Sequence, residues 1–457
     1  MSVAAYPAYK ESEVGGLGRV PSHWELKRLR FAATLNPTKA EISHLDRETE
    51  LSFLPMDAVG EDGSLRLDEL RPISAVETGY TFFREGDVTF AKITPCFENG
   101  KGAIMRGLIG GYGFGTTELT VLRPVVGVAT AEFLSWIICS PQFRAFGEGS
   151  MYGAGGQKRV PDDFARDFVA GFPSVSEQTA IATFLDRETG KIDALVEEQR
   201  RLIALLKEKR QAVISHAVTK GLNPNAPMKD SSIEWLGEVP AHWEVCKLGY
   251  AAKLQSGFAF ASDDFQPAGT PIVRMNNLNR GRLELGDAVC VADCNVNDKV
   301  ALAAGDLLWG MSGSIGETGS LGNFARVRIE DLPCQLNQRV GRLAVVDKTI
   351  GTDYMEHLIQ SSVFTSQIIL AVTGTAQFNV SGEQVEACLI AVPPLFEQRQ
   401  IVKCLNLKVK AHNSLMAEAE TGIALLQKRR AALISAAVTG KIDVRGLTAA
   451  PAAEEPA

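Results

Sequence analysis

Residues 20–26 read VPSHWEL, and residues 239–245 read VPAHWEV. A tryptophan-centred heptapeptide carried twice asks for the chain to be aligned with itself before any fold is assigned. His23-Trp24 and His242-Trp243 lie 219 residues apart (242 − 23). Upstream, YKESEVGGLGRVP aligns with MKDSSIEWLGEVP, pairing Lys10 with Lys229, Ser12 with Ser231 and Gly18 with Gly237. Gly86-Asp87-Val88 matches Gly305-Asp306-Leu307 at the same offset. Near the end of each half, LLKEKRQAVISHAVTKG (205–221) faces LLQKRRAALISAAVTGK (425–441), now 220 apart (425 − 205). At that offset Glu177-Gln178 meets Glu397-Gln398, and Ile181 and Leu185 meet Ile401 and Leu405. Residues 40–115 and 260–335 share little beyond the Gly-Asp turn. A period this long is a duplicated domain, not a solenoid. Framing segments that agree around interiors that differ suggest one scaffold presenting two different surfaces.

Each half continues from the Trp segment into mixed α/β sequence. DVTFAKI and DLLWGMS read as strands after a Gly-Asp turn, and ELTVLRPV and RVGRLAVV as further strands. AEFLSWIICS-PQFRAFG and DYMEHLIQSSVFTSQIIL carry helical spacing and lead to the loops YGAGGQ and TGTAQ. A long helix then follows in each half. From Glu177 to Val218 there is no proline and Gly190 is the one glycine. Ile192, Leu195, Gln199, Leu202, Leu206, Val213 and Ala217 are read as a coiled-coil seam, matched by Leu415, Ala419, Gly422, Leu426, Leu433 and Ala437. Roughly 40 residues at about 1.5 Å each make a rod on the order of 60 Å. One amphipathic helix of that length cannot bury its own stripe. Two similar ones in a single chain can bury theirs against each other, and antiparallel pairing would hold the domains at opposite ends. The segment KGLNPNAPMKDSS (220–232) reads as a linker and APAAEEPA as a disordered tail. The expected division is 1–176 domain, 177–219 helix, 220–232 linker, 233–396 domain, 397–440 helix and 441–457 tail.

The chain of 457 residues is 45% hydrophobic and 22% charged, an ordinary globular composition with room for several cores. A net charge of −7 argues against coating nucleic acid through one large basic surface, though not against a local basic cleft. MSVAAYPAYKESEV is not a secretory signal, and no stretch reaches the roughly 18 apolar residues of a membrane span. The eight cysteines form no C-x-x-C pair and are read as reduced thiols of a cytoplasmic protein, with no metal site.

The residues quoted resemble the specificity subunits of type I restriction–modification enzymes. The resemblance rests on VPSHWELKRL and VPAHWEVCKL, on P-x-x-x-EQ-x-x-I (Pro173 to Ile181; Pro393 to Ile401), and on the paired LL-x-x-x-R helices ending VTKG and VTGK. It covers nearly the whole chain. The copies differ at Gly16, where the second has Trp235, which implies looser packing in the first. The resemblance implies an α/β multidomain fold. Two mixed α/β target-recognition domains, a tandem pseudo-repeat, are separated by two long helices in an antiparallel coiled coil. It also implies that each domain reads one half of a gapped double-stranded DNA sequence while the helices set the gap and dock the modification (methyltransferase) subunits. Restriction (motor–nuclease) subunits join them. S-adenosylmethionine, ATP and Mg would belong to those partners, with no cofactor in this chain.

Catalytic motifs are missing from the sequence. VPPLFEQ and FPSVSEQ lack the Asp/Asn-Pro-Pro loop of an adenine methyltransferase. GFGTTE and GSIGETGS read as turns, YGAGGQKR lacks the Gly-Lys-Ser/Thr order of a phosphate loop, and PDDFARDF has no Glu-x-Lys after its acids. His23 and His242 read as packing and capping residues. The rival readings are a single-chain methyltransferase or nuclease, and a coiled-coil scaffold with no role on DNA. Base reading needs forked donors and amides, with Lys, Arg and hydroxyls on phosphates. The candidates are Lys92, Thr94, Lys101, Gln157, Lys158 and Arg159 in the first half. In the second they are Arg274, Asn276, Asn277, Ser312, Ser314, Gln377 and Asn379.

Overall fold

The computed structural model describes residues 4–154, 156–293, 296–316, 319–346, 348–372 and 377–447. Residues 373–376 of the TGTAQ loop, Gly155, Cys294 and the expected tail from 448 lie outside them. The chain folds as two compact units. Unit 1 joins everything up to Gln199 with everything from Thr421 onward, and unit 2 is Arg200–Glu420. The long helices span Val175–Lys220 and Leu395–Val438, so each unit holds one sheet-bearing head and a stretch of both helices.

In unit 1 the hairpin Tyr9–Glu11/Arg19–Pro21 leads to the strand Glu25–Arg28, which pairs antiparallel with Val169–Phe172 just before the first long helix. Two four-stranded sheets fill the head. One runs Leu70–Pro72, Glu50–Leu54, Tyr112–Gly115, Thr81–Arg84, with Tyr112–Gly115 parallel to Glu50–Leu54. The other runs Ala33–Leu35, Leu119–Pro124, Val88–Ala91, Gly102–Ile104. Unit 2 repeats the frame. Met228–Asp230 pairs with Glu238–Pro240, Glu244–Lys247 pairs with Leu389–Val392, and a sheet runs Ala252–Ser256, Val340–Val345, Leu307–Gly310, Phe324–Arg326. The expected linker 220–232 therefore ends in a strand of the second head. Its Pro, Asn and Ser content described only its first part. DYMEHLIQSSVFTSQIIL, read as one helical run, breaks into Thr352–Leu358 and Ser362–Ala371, because the Ser361 hydroxyl accepts from Phe364 N at 3.2 Å and starts a new helix.

The repeated heptapeptide is explained by what surrounds its tryptophan. Trp24 is fully buried, removing roughly 200 Å² from water, and its indole N–H then needs an acceptor. Glu177, at the start of the first long helix, supplies it. Its carboxylate accepts from Trp24 Nε1 (3.0 Å) and Tyr6 OH (2.8 Å) and meets His23 Nε2 (2.9 Å). Gln178 accepts from Thr130 N and donates to the carbonyls of Val128 and Pro173. Unit 2 builds the same joint. Glu397 accepts from Trp243 Nε1 (2.9 Å) beside His242 (2.6 Å), and Gln398 serves Gly351 N, Thr349 O and Pro393 O. The other face of each indole meets the end of the other long helix. Gly440 (φ +70°) lies against Trp24 and Gly221 (φ +73°) against Trp243, each at a left-handed helix end that a Cβ would strain. VPxHW, EQ and VTKG/VTGK are thus parts of one joint, made once per unit. At Gly16 the Phe146 ring stands 2.6 Å from where a Cβ would sit, and beside it lies an apolar cleft of about 330 Å³.

The helices run antiparallel in each unit. In unit 1, Ile181 and Leu185 share a core with Ile434, Ala437 and Val438, and Arg430 Nε bonds Asp193 Oδ1 at 2.8 Å. In unit 2, Ile214, Ala217 and Val218 share a core with Ile401 and Leu405, and Arg210 Nη1 bonds Asn413 Oδ1 at 3.0 Å. The more sheltered positions fall at 189, 192, 196, 199, 203, 206, 210, 213 and 217, and at 409, 412, 416, 419, 423, 426, 430, 433 and 437, an unbroken 3–4 alternation. Ile192, Gln199, Leu206, Val213 and Ala217 sit on that stripe, as do Ala419, Leu426, Leu433 and Ala437. Leu195, Leu202 and Leu415 do not. They are 46%, 43% and 48% exposed, one position away from Val196, Ile203 and Met416, whereas Gly422 and its neighbour Ile423 are both half-buried.

Candidate nucleic-acid interface

The Gly-Asp turn fixes the strand that leads to the candidate loops. Asp87 is buried, accepts from Arg84 N (2.9 Å) and holds Arg123 through two 2.8 Å bonds. Burial alone would lower the Arg123 pKa, but the Asp87 and Glu41 carboxylates raise it. In unit 2, Asp306 accepts from Ala303 N (2.9 Å) and from Arg342 at a single 3.1 Å bond. The shared turn is therefore an internal brace between neighbouring strands.

Beyond the braced strand, three loops converge in unit 1. Lys92 N donates to Glu118 O, Val160 N to Lys92 O, and Thr94 N to Lys158 O, while the Thr94 hydroxyl accepts from Lys158 N. Gln157 and Lys158 are exposed beside them, and so is Tyr152, which forms a bridge with Arg159. Lys92 is half-buried and 3.9 Å from Asp162. Thr94 is occupied by Gly156 O and the Lys158 backbone. Lys101 turns away and donates to Met56 O (3.1 Å). Arg159 is clasped by Glu118 through Nε–Oε2 (2.9 Å) and Nη2–Oε1 (2.7 Å), which raises its pKa. The structure thus brings Lys92, Thr94, Gln157, Lys158 and Arg159 together, but Lys101 is drawn off.

The same backbone bonds recur in unit 2. Met311 N donates to Arg339 O (3.0 Å), Val380 N to Met311 O (2.9 Å), and Ser312 pairs with Asn379. Ser314 and Gln377 are exposed on these loops, and Asn379 Oδ1 accepts from Arg339 Nη1 (3.3 Å). Two candidates fail here. Ser312 is buried inside the strand pair. Asn277, also buried, is used up in its own turn, accepting from Arg274 N and donating to Glu284 O. Asn276 is exposed, and Arg274 lies half-buried near the Phe265 ring with its Nε unpartnered. Sequence reasoning missed Glu118, Tyr152, Phe258 and Arg339. Glu118 and Arg339 each precede an equivalent strand, Leu119–Pro124 and Val340–Val345, with opposite charge. That reversal was the available signal. Among the described residues, no group of three His, Cys, Asp or Glu side chains is placed to hold a metal ion, and no helix is long and apolar enough to cross a membrane.

Residues 240–421 match the family described as the type I restriction modification DNA specificity domain. The type I restriction enzyme EcoAI specificity subunit of Escherichia coli is 29% identical over 472 aligned residues, covering 87% of this chain and 79% of that protein. Over most of its length, then, the chain is similar to type I specificity subunits. A second family member, the EcoEI specificity subunit of Escherichia coli, is 40% identical over 191 residues, 41% of this chain and 31% of that one. Two solved family structures share the fold. One, from work on complex assembly and conformational transition of the type I R-M system, has a TM-score of 0.74 at 15% identity, covering 93% of this chain and 99% of its own. The other, the HsdS subunit of Thermoanaerobacter tengcongensis, has a TM-score of 0.53 at 16% identity, with 94% and 100% covered. The likeness to these specificity subunits disfavours the rival reading of a helical scaffold with no role on DNA.

Proposed function

We propose that this chain is the DNA sequence-recognition subunit of a type I restriction–modification complex. Residues 1–176 and 233–396 each read one half of a gapped target, and the long helices dock the modification subunits. The observation that carries this is the three-loop face. It is built twice on the same backbone hydrogen bonds, yet it carries Lys92, Glu118 and Arg159 in one unit and Arg339, Asn379 and a buried Met311 in the other. A scaffold that holds backbone constant while exchanging forked and amide side chains suits reading two different half-sequences. Leucines left outside the helix seam support docking: Leu202, Leu205, Leu407 and Leu415 are exposed in unit 2, and Leu195 and Leu425 in unit 1. With a net charge of −7, most phosphate contacts would come from the partner subunits.

In this reading the chain does no bond chemistry. S-adenosylmethionine is used by the modification subunits, ATP and Mg by the restriction subunits, and the complex works in the cytoplasm. Deleting the gene should abolish adenine methylation at one two-part, gapped motif, read by methylation-sensitive sequencing of host DNA. Unchanged methylation, or turnover by the purified chain alone with S-adenosylmethionine and DNA, would refute the proposal.

A further inference from the structure

The two units differ most sharply at one equivalent point of the three-loop face. Lys92 N→Glu118 O and Met311 N→Arg339 O are the same bond, as are Val160 N→Lys92 O and Val380 N→Met311 O. Glu118 therefore corresponds to Arg339, and Arg159 to Asn379. In unit 1 the guanidinium comes from the far loop, and both Nε and Nη2 are spent on a carboxylate. The fork that would grip a guanine edge is occupied and its charge neutralised. In unit 2 the polarity is reversed. The guanidinium comes from Arg339, its partner is the neutral Asn379 amide, and one N–H is engaged, at 3.3 Å. Arginine has five N–H donors, so the fork stays available.

The backbone around Arg339 is held on both sides. Met311 N bonds its carbonyl (3.0 Å), Gln338 N bonds Phe258 O (3.0 Å), and Asn337 N bonds Val273 O (3.2 Å). Arg339 itself is exposed, with half-exposed Phe258 beside its loop. A charged, pre-oriented fork on a fixed loop loses little side-chain entropy on binding, and guanine O6 and N7 are the acceptors it matches best. We infer that Arg339 is a specificity-determining residue that reads a guanine in the second half of the target. Asn379 is its positioning residue, and the first half has no arginine reader at the equivalent place. The inference rests on the recognition function proposed above.

The test expresses the full chain with its modification subunits and reads methylation at every single-base variant of the motif. With the wild-type chain, the second half contains a G·C pair that is required. Arg339→Ala should relax that position alone, reducing discrimination there by about 5- to 150-fold while the first half stays unchanged. Asn379→Ala should relax the same position less, and Arg339→Lys should keep a weakened guanine preference. A second half without a required G·C pair, an equal loss at all positions from Arg339→Ala, or no change would each overturn the inference. An equal loss would mean that Arg339 merely touches phosphate. If the wild-type chain supports no gapped-motif methylation at all, it is the recognition function itself that fails.

Discussion

At the joint between sheet and long helix, both halves use the same side chains: Trp, His, Glu, Gln and a terminal glycine. At the three-loop face the halves share backbone bonds, but Glu118 clasps Arg159 in one and Asn379 holds Arg339 in the other. The joint is geometrically overdetermined, with a buried indole N–H whose acceptor is a carboxylate that also meets the neighbouring histidine. The face is solvated and held by main chain, so its side chains can change without disturbing the fold. Duplication followed by divergence is tolerated where the backbone, not the side chain, supplies the bonds.

That contrast can be broken first at the brace beneath the face. Asp87→Ala would leave the buried Arg123 without its bidentate partner and should cost about 3–5 kcal/mol in chemical denaturation. Asp306→Ala removes one turn bond and a single Arg342 bond between partly exposed groups and should cost about 1–2 kcal/mol. Both variants that fold should keep the same methylation motif. A changed motif from either would mean that the brace also reads DNA.

A smaller effect is expected in the helix seam. Asp193–Arg430 and Asn413–Arg210 are equivalent pairs, 220 residues apart (413 − 193 and 430 − 210), but only the first has a carboxylate. Burial, with the Arg280 charge nearby, lowers the Arg210 pKa, and its Nε has no partner. Asn413→Asp should therefore stabilise the protein by about 0.5–1 kcal/mol, and Asp193→Asn should destabilise it by a similar amount. Equal insensitivity at both sites would show that the polar pairs contribute nothing to helix association.

Much of the scaffold was legible in the sequence because each joint residue type is demanded by burial: VPxHW, EQ and VTKG/VTGK recur with little change. The seam was legible in period but not in phase. Leu195 and Leu202 adjoin Val196 and Ile203, and hydrophobicity alone does not tell which neighbour turns inward; the structure turns the β-branched one. At the face, the loops were found but not the fate of each side chain. Asn277 and Ser312 are polar residues consumed by their own turn and strand, which only three-dimensional pairing reveals. Glu118 and Arg339 were overlooked because each sits at a strand's edge, inside stretches read as structural.

The central claim is that one chain carries two independent readers on a common frame. Residues 1–176 should be exchanged for those of a relative with a different target, and methylated motifs mapped in cells that also supply the modification subunits. One half of the gapped motif should change while the other half is retained. A motif altered in both halves together, or in neither, would contradict the account.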